Sequence, residues 1–153
     1  MKPDAAAIVI VAVLIILILL FMTAKGEKRR ITLVNSENER FEISVEVANN
    51  SITRAKGLMG RSSLGEYEGM LFEFDRPGIY PFWMLNTTIP LDAIYIAGDG
   101  SVVDILEMEP CGLNITKCRL YTPKAEAMYV LEVNRGFSGK HSVMAGKSAL
   151  LMD

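Results

Sequence analysis

Residues 93–106 read AIYIAGDGSVVDIL, and this stretch decides the fold class. Two runs rich in β-branched residues flank a Gly-Asp-Gly turn, and an Asp-Gly turn in that setting is the strongest short-range signal for a β-hairpin. A capped helical pattern over 51–60 predicts one short helix. Further strand-like runs with period two, or short apolar runs, lie at 31–34, 41–47, 69–74, 127–133 and 149–151. We therefore predict a mainly β domain, a compact antiparallel β-barrel or sandwich with one short helix.

An apolar run at residues 5–24 precedes this domain and contains no charged side chain. About twenty helical residues span roughly 30 Å, the thickness of the hydrocarbon core of a bilayer. A cleaved signal peptide is the alternative, but its apolar segment is usually about 7–15 residues long and ends in small residues. We predict a short flank at 1–4, a single transmembrane helix over 5–24 with the lipid bilayer as its partner, a basic linker at 25–30 and a soluble domain over 31–153.

The soluble domain is acidic. Five of the 16 basic and two of the 18 acidic residues lie before position 31, which leaves 11 basic and 16 acidic residues and a net charge near −5. A protein that binds nucleic acid needs a basic surface to neutralise phosphates. The charge balance therefore argues against nucleic acid as a partner.

Four motifs follow one another through this domain. They are TRAKGLMGR at 53–61, GMLF at 69–72, FWMLNTTIPLD at 82–92 and YVLE at 129–132. In this order they resemble the signatures of domain-of-unknown-function family 192, also called uncharacterised protein family 0127. The resemblance implies a small β-rich domain, often exported or membrane-tethered, with no agreed activity and hence no catalytic residues to assign. One departure is Leu85, where many members carry Lys or another polar residue.

The two cysteines, Cys111 and Cys118, lie in one predicted loop, ahead of a Tyr-x-Pro segment that also resembles the family pattern. In an exported domain such a pair typically forms a disulfide, while free structural thiols and a metal or redox site are the alternatives. The basic residues at 25–30 favour a cytoplasmic domain by the positive-inside rule, whereas a disulfide needs an oxidising compartment. We give the cysteines more weight and predict a single-pass cell-membrane protein with an extracytoplasmic domain.

The densest motif holds Trp83, Asn86 and Asp92, and the helical motif before it holds Arg54. An aromatic platform beside Asn, Asp and Arg is typical of a site for a small polar ligand such as a sugar or a carboxylate. The alternative is structural: Asn86 would shape a turn, Asp92 would cap or pair with Arg54 or Arg61, and Trp83 would fill the core. The ligand-binding hypothesis assigns the site to Arg54, Trp83, Asn86 and Asp92.

Three functions therefore compete. We predict a non-enzymatic ligand-binding or interaction module. One rival is a hydrolase of envelope material that uses Asp92 or Glu109 as acid or base, which requires two carboxylates converging in a cleft. The other rival is an accessory subunit of a membrane complex, which an exposed apolar patch would favour.

Metal and cofactor sites receive little support from the sequence. His141 is the single histidine, which excludes a site with several histidine ligands. Methionines at apolar positions fill cores more often than they bind Cu(I). We predict no cofactor and no metal, and we regard Asn114, between the cysteines, as the best glycosylation sequon.

Overall fold

The computed structural model describes residues 4–23 and 27–151. Helix α1 covers Ala5–Thr23. The strands are β1 Glu27–Val34, β2 Arg40–Ala48, β3 Glu68–Gly78, β4 Leu91–Ile96, β5 Val102–Met108, β6 Ala127–Asn134 and β7 Ala149–Leu151. The short helical segments are α2 Ser51–Lys56, a 3₁₀ helix Ile115–Lys117 and α3 Phe137–Lys140.

The strands form one mixed sheet in the order β5-β4-β6-β3-β2-β1-β7. Neighbouring strands are antiparallel except β2 and β3, which run parallel with Val45 opposite Gly69. The sheet curls until its edges approach each other, where Ser101 bridges Ala149 and the Leu150 N–H donates to the Gly100 carbonyl at 2.8 Å. The architecture is thus a curled half-barrel.

The predicted mainly β class is confirmed, but two details of that prediction are wrong. The sheet is neither purely antiparallel nor a sandwich, because the connection through α2 returns the chain to the same end of the sheet and makes β3 parallel to β2. The described residues also contain three short helical segments after β1 rather than one. The hairpin of β4 and β5 is confirmed, with Ala93 opposite Leu106.

Helix α2 begins where the sequence predicts. The Asn50 side chain accepts hydrogen bonds from the N–H groups of Ile52 and Thr53, and the Thr53 hydroxyl accepts from the Asn50 N–H. This reciprocal capping satisfies donors that the first helical turn leaves free. The helix ends at Lys56 rather than near Gly60, because Gly57 adopts a φ of +48° and leaves the helical conformation.

Some strand limits differ from the prediction. Strand β1 begins at Glu27, opposite Val47, so residues 27–30 belong to the sheet and not to the predicted linker over 25–30. Residues 25 and 26 of that linker lie outside the described residues. Strand β3 continues to Gly78, beyond the predicted run at 69–74, and Phe82 in the segment that follows forms a bridge with Tyr121.

The side chains of α1 that are described without a break run from Ile8 to Phe21, and all of them are apolar and exposed. Within the part of the chain that the structure describes, no helix qualifies as long and apolar enough to cross a bilayer. The transmembrane assignment of 5–24 therefore stays a prediction.

Both faces of the sheet bury apolar side chains. Alternation along β6 shows this, because Leu131 packs into one cluster and Val130 into the other. The Leu131 cluster includes Phe137 of α3. The Val130 cluster is covered by residues from outside the strands, among them Leu58 and Met84. The candidate site lies on this Val130 face.

Candidate functional site

A pocket opens on the Val130 face of the sheet. It is bounded by α2 and the residues that follow it, by the segment at 82–87, and by strands β3 and β6. We call it the Glu132 pocket. Its lining residues are Arg54, Ala55, Lys56, Gly57, Leu58, Met59, Phe72, Phe82, Trp83, Leu85, Thr87 and Glu132.

Glu132 forms the base of the pocket. It sits on β6 between Met70 of β3 and Ala93 of β4, and only 4% of its surface is exposed. No hydrogen bond reaches its carboxyl group from the residues that the structure describes. Burial raises the pKa of Glu132 to about 8, because the ionised form loses its hydration. Near neutral pH this carboxyl group therefore holds its proton most of the time.

Aromatic side chains form the walls. Phe72 and Phe82 meet edge to face, with ring centroids 4.8 Å apart, and Trp83 stands beside them with 39% of its surface exposed. The prediction that Trp83 fills the core is wrong, because Phe82 and Met84 turn inward and the alternation directs Trp83 outward. An exposed indole beside a buried acid is typical of a binding surface.

The walls continue into a wider adjoining depression that shares Arg54, Phe72, Phe82 and Trp83 with the pocket. Its further lining comes from Ala55, Phe74, Tyr80 and Pro81. Phe74 and Tyr80 stack in parallel at 3.6 Å. We call the two depressions together the aromatic groove.

Arg54 is held at the rim by α2. Its Nη1 donates to the Glu73 carbonyl oxygen at 2.7 Å, and its guanidinium lies over the Phe74 ring, 5.3 Å from the centroid. These contacts fix the cation in one place while leaving it partly exposed. Among the four predicted ligand residues, the structure brings Arg54 and Trp83 together in the lining of the groove.

Asp92 lies on the opposite face of the sheet. It is 1% exposed, and its two carboxylate oxygens accept hydrogen bonds from the N–H groups of Gly136 at 3.1 Å and Ser138 at 2.9 Å. It therefore caps α3, which is one form of the structural alternative. The predicted pairing with Arg54 or Arg61 does not occur among the described contacts, and Arg61 pairs with Glu46 instead.

Asn86 acts through its backbone. It has a φ of +53°, a left-handed conformation that asparagine tolerates better than most residues. Its N–H donates to the Gly112 carbonyl and its carbonyl accepts from the Gly60 N–H, both at 2.8 Å. Asn86 thus joins the turn after α2 to the cysteine loop, between the lining residues Leu85 and Thr87. A side-chain contact with a ligand stays a prediction.

Cys111 and Cys118 are paired as a disulfide, with Cα atoms 5.1 Å apart, which fits the predicted pairing. The bond closes a loop that contains the 3₁₀ helix, whose first turn is capped by the Asn114 side chain. Three large apolar side chains are exposed in and next to this loop, namely Leu113 at 79%, Ile115 at 56% and Leu120 at 61%.

The other candidate residues lie away from the pocket lining. Glu109 is exposed and pairs with Arg135. His141 is buried and packed among Phe41, Tyr67 and Phe137, and its Nε2 atom has no hydrogen-bond partner among the described residues. Among the methionines, Met84 and Met108 belong to the apolar core, Met59 lines the pocket and Met128 is partly buried. No group of His, Cys, Asp or Glu in the described residues is arranged to hold a metal ion.

Glu132 is the site residue that reasoning from the sequence missed. It lies in the YVLE motif, where a strand of otherwise apolar character carries one acid. Because side chains two positions apart on a strand share a face, Glu132 lies on the same face as Val130. An acidic side chain at such an inward position was the sequence signal for a site residue.

Comparisons with known proteins agree on one family. The profile of DUF192, described as an uncharacterized ACR, matches residues 32–150. A UPF0127 protein of Pyrococcus abyssi is 30% identical over 105 residues, covering 67% of this chain and 80% of the relative. A UPF0127 protein of Pyrococcus horikoshii is 32% identical over 103 residues, covering 66% and 81%.

Two solved structures share the fold. A proposed transcription regulator from Sinorhizobium meliloti superimposes with a TM-score of 0.75 and 29% identity, over 84% of this chain and 95% of its own. A protein of unknown function from Novosphingobium aromaticivorans does so with a TM-score of 0.74 and 29% identity, over 83% and 86%. The profile match and the Pyrococcus relatives together show that the chain belongs to the DUF192 family, also called UPF0127.

Proposed function

We propose that this chain is a membrane-anchored ligand-binding module whose Glu132 pocket takes a small ligand with an apolar body and one polar group. The observation that carries the proposal is the buried carboxyl group of Glu132, which lines an open aromatic pocket without a hydrogen bond from the described protein groups. A ligand whose polar group reaches Glu132 gains a hydrogen bond in a pocket with few polar groups, and its apolar body packs on the aromatic walls.

The lining favours binding over hydrolysis. Of the described residues that line the pocket, only Glu132 carries a carboxyl group. The two acids considered for a hydrolase are placed elsewhere: Asp92 caps α3 on the other face, and Glu109 pairs with Arg135 at the surface. A general acid and a general base that act on one bond must both reach it. A single buried acid among aromatic rings suits recognition.

Anchoring and orientation are part of the proposal. The exposed apolar side chains of α1 support a helix in the bilayer, and the disulfide supports a domain on the oxidising side of the membrane. The basic residues between α1 and the core of the domain favour the opposite orientation. We give the disulfide more weight, because disulfides form and persist in oxidising compartments and are rare in reducing ones.

Ligand binding is testable by saturation-transfer NMR with a fragment library on the full chain in detergent micelles. We expect hits on the wild type that are lost in Trp83→Ala, since this change removes one wall of the pocket. The matched control is Met144→Ala, which shortens a large side chain of similar exposure, 47%, outside the pocket lining. An absence of hits, or hits equally strong in Trp83→Ala, would refute the pocket as a binding site.

A second candidate function rests on the cysteine loop. Leu113, Ile115 and Leu120 expose more than half of their surfaces there, and exposed apolar clusters mark surfaces that partners cover. This favours an accessory subunit that contacts another membrane protein. Cross-linking in intact membranes tests it: a product that disappears in the double variant Leu113→Ser and Ile115→Ser supports the subunit role, and an unchanged product pattern rejects it.

A further inference from the structure

Resting on the proposed function, we propose that the ligand of the Glu132 pocket is an organic cation, an ammonium group with apolar substituents, and that its binding releases the proton of Glu132. In the empty pocket the carboxyl group carries a proton. On binding, the O–H bond of Glu132 breaks, the proton passes to solvent, and the carboxylate pairs with the ligand's positive charge. Charge and protons balance, since one cation enters as one proton leaves.

The charge of the pocket is the first argument. Glu132 lies 96% buried, and the described residues form no ion pair with it. Arg54 and Lys56 line the same pocket, but the Arg54 guanidinium is engaged by the Glu73 carbonyl and the Phe74 ring, and Lys56 has an interaction of its own. A buried carboxylate is stable only when a positive charge compensates it. Ionisation of Glu132 therefore requires a positive charge nearby, which a cationic ligand supplies.

The walls are the second argument. The faces of aromatic rings carry negative charge density and attract cations, most strongly at tryptophan. Phe72, Phe82 and Trp83 line the pocket whose base is Glu132, and Leu58 adds apolar surface that is 97% buried. Rings around a carboxylate form a general arrangement for holding an alkylated ammonium group. A neutral ligand can hydrogen-bond only to the protonated acid, whereas a cation also stabilises its ionised form.

The burial of Glu132 makes this binding depend on pH. Because burial raises the pKa of this carboxyl group to about 8, a cation that enters below that pH must displace a proton. For a ligand of fixed charge, the dissociation constant should fall about tenfold for each pH unit between about pH 6 and pH 7, and should level off above about pH 8.

Trp83 is the chain's only tryptophan, so its fluorescence reports on the pocket directly. The full chain in detergent micelles is titrated with choline and with 3,3-dimethylbutan-1-ol, which replaces the quaternary nitrogen by carbon and carries no charge. We expect choline to bind with the pH dependence given above, and the neutral isostere to bind at least about tenfold more weakly and independently of pH.

Two variants separate the role of Glu132 from general effects. Glu132→Gln keeps the size of the side chain, so we expect a folded protein that binds choline at least about tenfold more weakly and without pH dependence. Glu42→Gln changes an exposed acid on β2 and should match the wild type. A thermal melt of each variant confirms folding before the titration.

The outcomes distinguish this inference from the proposed function. Equal or tighter binding of the neutral isostere overturns the cation and leaves a ligand pocket. Failure of both probes, while fragments in the NMR screen still bind in a Trp83-dependent manner, also overturns the cation alone. Failure of both probes and of the whole fragment library overturns the inference and the proposed function together.

Discussion

Glu132 and Trp83 line one pocket from its base and its rim, the acid 4% exposed on a central strand and the indole 39% exposed in the segment that covers it. The two residues are 49 positions apart in the chain. Sheet registration places Glu132 beneath the segment at 82–87, which is held by the bridge from Phe82 to Tyr121 and by the backbone contacts of Asn86. The carboxyl group of Glu132 is therefore buried from bulk solvent but lines a pocket that a ligand can enter.

Glu132→Gln should remove a pH dependence of stability. Burial raises the pKa of Glu132 from 4.5 to about 8 in the folded protein, so the folded state keeps a proton that the unfolded state has lost. Its contribution is fully present below about pH 4.5 and is lost as pH rises towards about 8, with a slope of roughly 1.4 kcal/mol per unit.

The measurement is the free energy of unfolding from denaturant titrations at several pH values, for the full chain in micelles. Glutamine carries no titrating group, so the variant should be more stable than the wild type by about 2–4 kcal/mol near pH 7.5. Glu42→Gln should keep the wild-type slope, since Glu42 is exposed. Parallel curves for wild type and Glu132→Gln would show that the acid is solvated in the folded state.

Asp92→Asn should destabilise the domain without changing the pocket. Asp92 accepts two backbone N–H groups at the start of α3, and an amide has one acceptor oxygen where the carboxylate has two. We expect a loss of about 1–3 kcal/mol in thermal or chemical unfolding. Choline or fragment binding by the folded variant should equal that of the wild type, because Asp92 lies on the other face of the sheet.

The control for this change is Glu109→Gln, which removes an exposed acid and should cost less than about 1 kcal/mol. Loss of ligand binding in Asp92→Asn at temperatures where it is folded would return Asp92 to the binding site.

Gly69→Ala should disturb the strand pair that carries Glu132. A Cβ atom at position 69 would lie 2.6 Å from the carbonyl oxygen of Glu132 and 3.2 Å from side-chain atoms of Leu131 and Val133. Because the first neighbour is backbone, β3 and β6 must move apart, which we expect to cost about 1–3 kcal/mol. Gly139→Ala is the matched control, since a Cβ there meets nothing within 4 Å. Equal melting temperatures for the two variants would contradict the close packing of β3 on β6.

Labelling of the cysteines tests the orientation. Intact cells are treated with a membrane-impermeant alkylating reagent, with and without reductant. Mass spectrometry of the protein then counts the alkylated cysteines. Because Cys111 and Cys118 are bonded to each other, we expect labelling only after reduction, which places the domain outside the cytoplasm. A double variant Cys111→Ser and Cys118→Ser gives the background. Protection until lysis, followed by labelling without reductant, would place the domain in the cytoplasm with free thiols.

Local features of the fold could be read from the sequence because neighbouring residues determine them. The Asp-Gly turn between β4 and β5 requires only the residues at 93–106, and the Asn50 cap of α2 requires only Thr53. The cysteine pair was also readable, since a short loop holds both partners close together. The charge balance and the apolar run at 5–24 belong to composition and need no fold.

Only the tertiary structure decided which of these residues meet. Four features join residues that are distant in sequence. They are the parallel pairing of β2 with β3, the approach of the two sheet edges, the position of Asp92 under α3 and the shared pocket of Glu132 and Trp83. Strand order and register set these contacts, and the period-two pattern of a strand shows that its two faces differ without showing which neighbour each face meets. The sequence by itself therefore determined the elements and the family motifs, and the packing of the curled sheet decided the site.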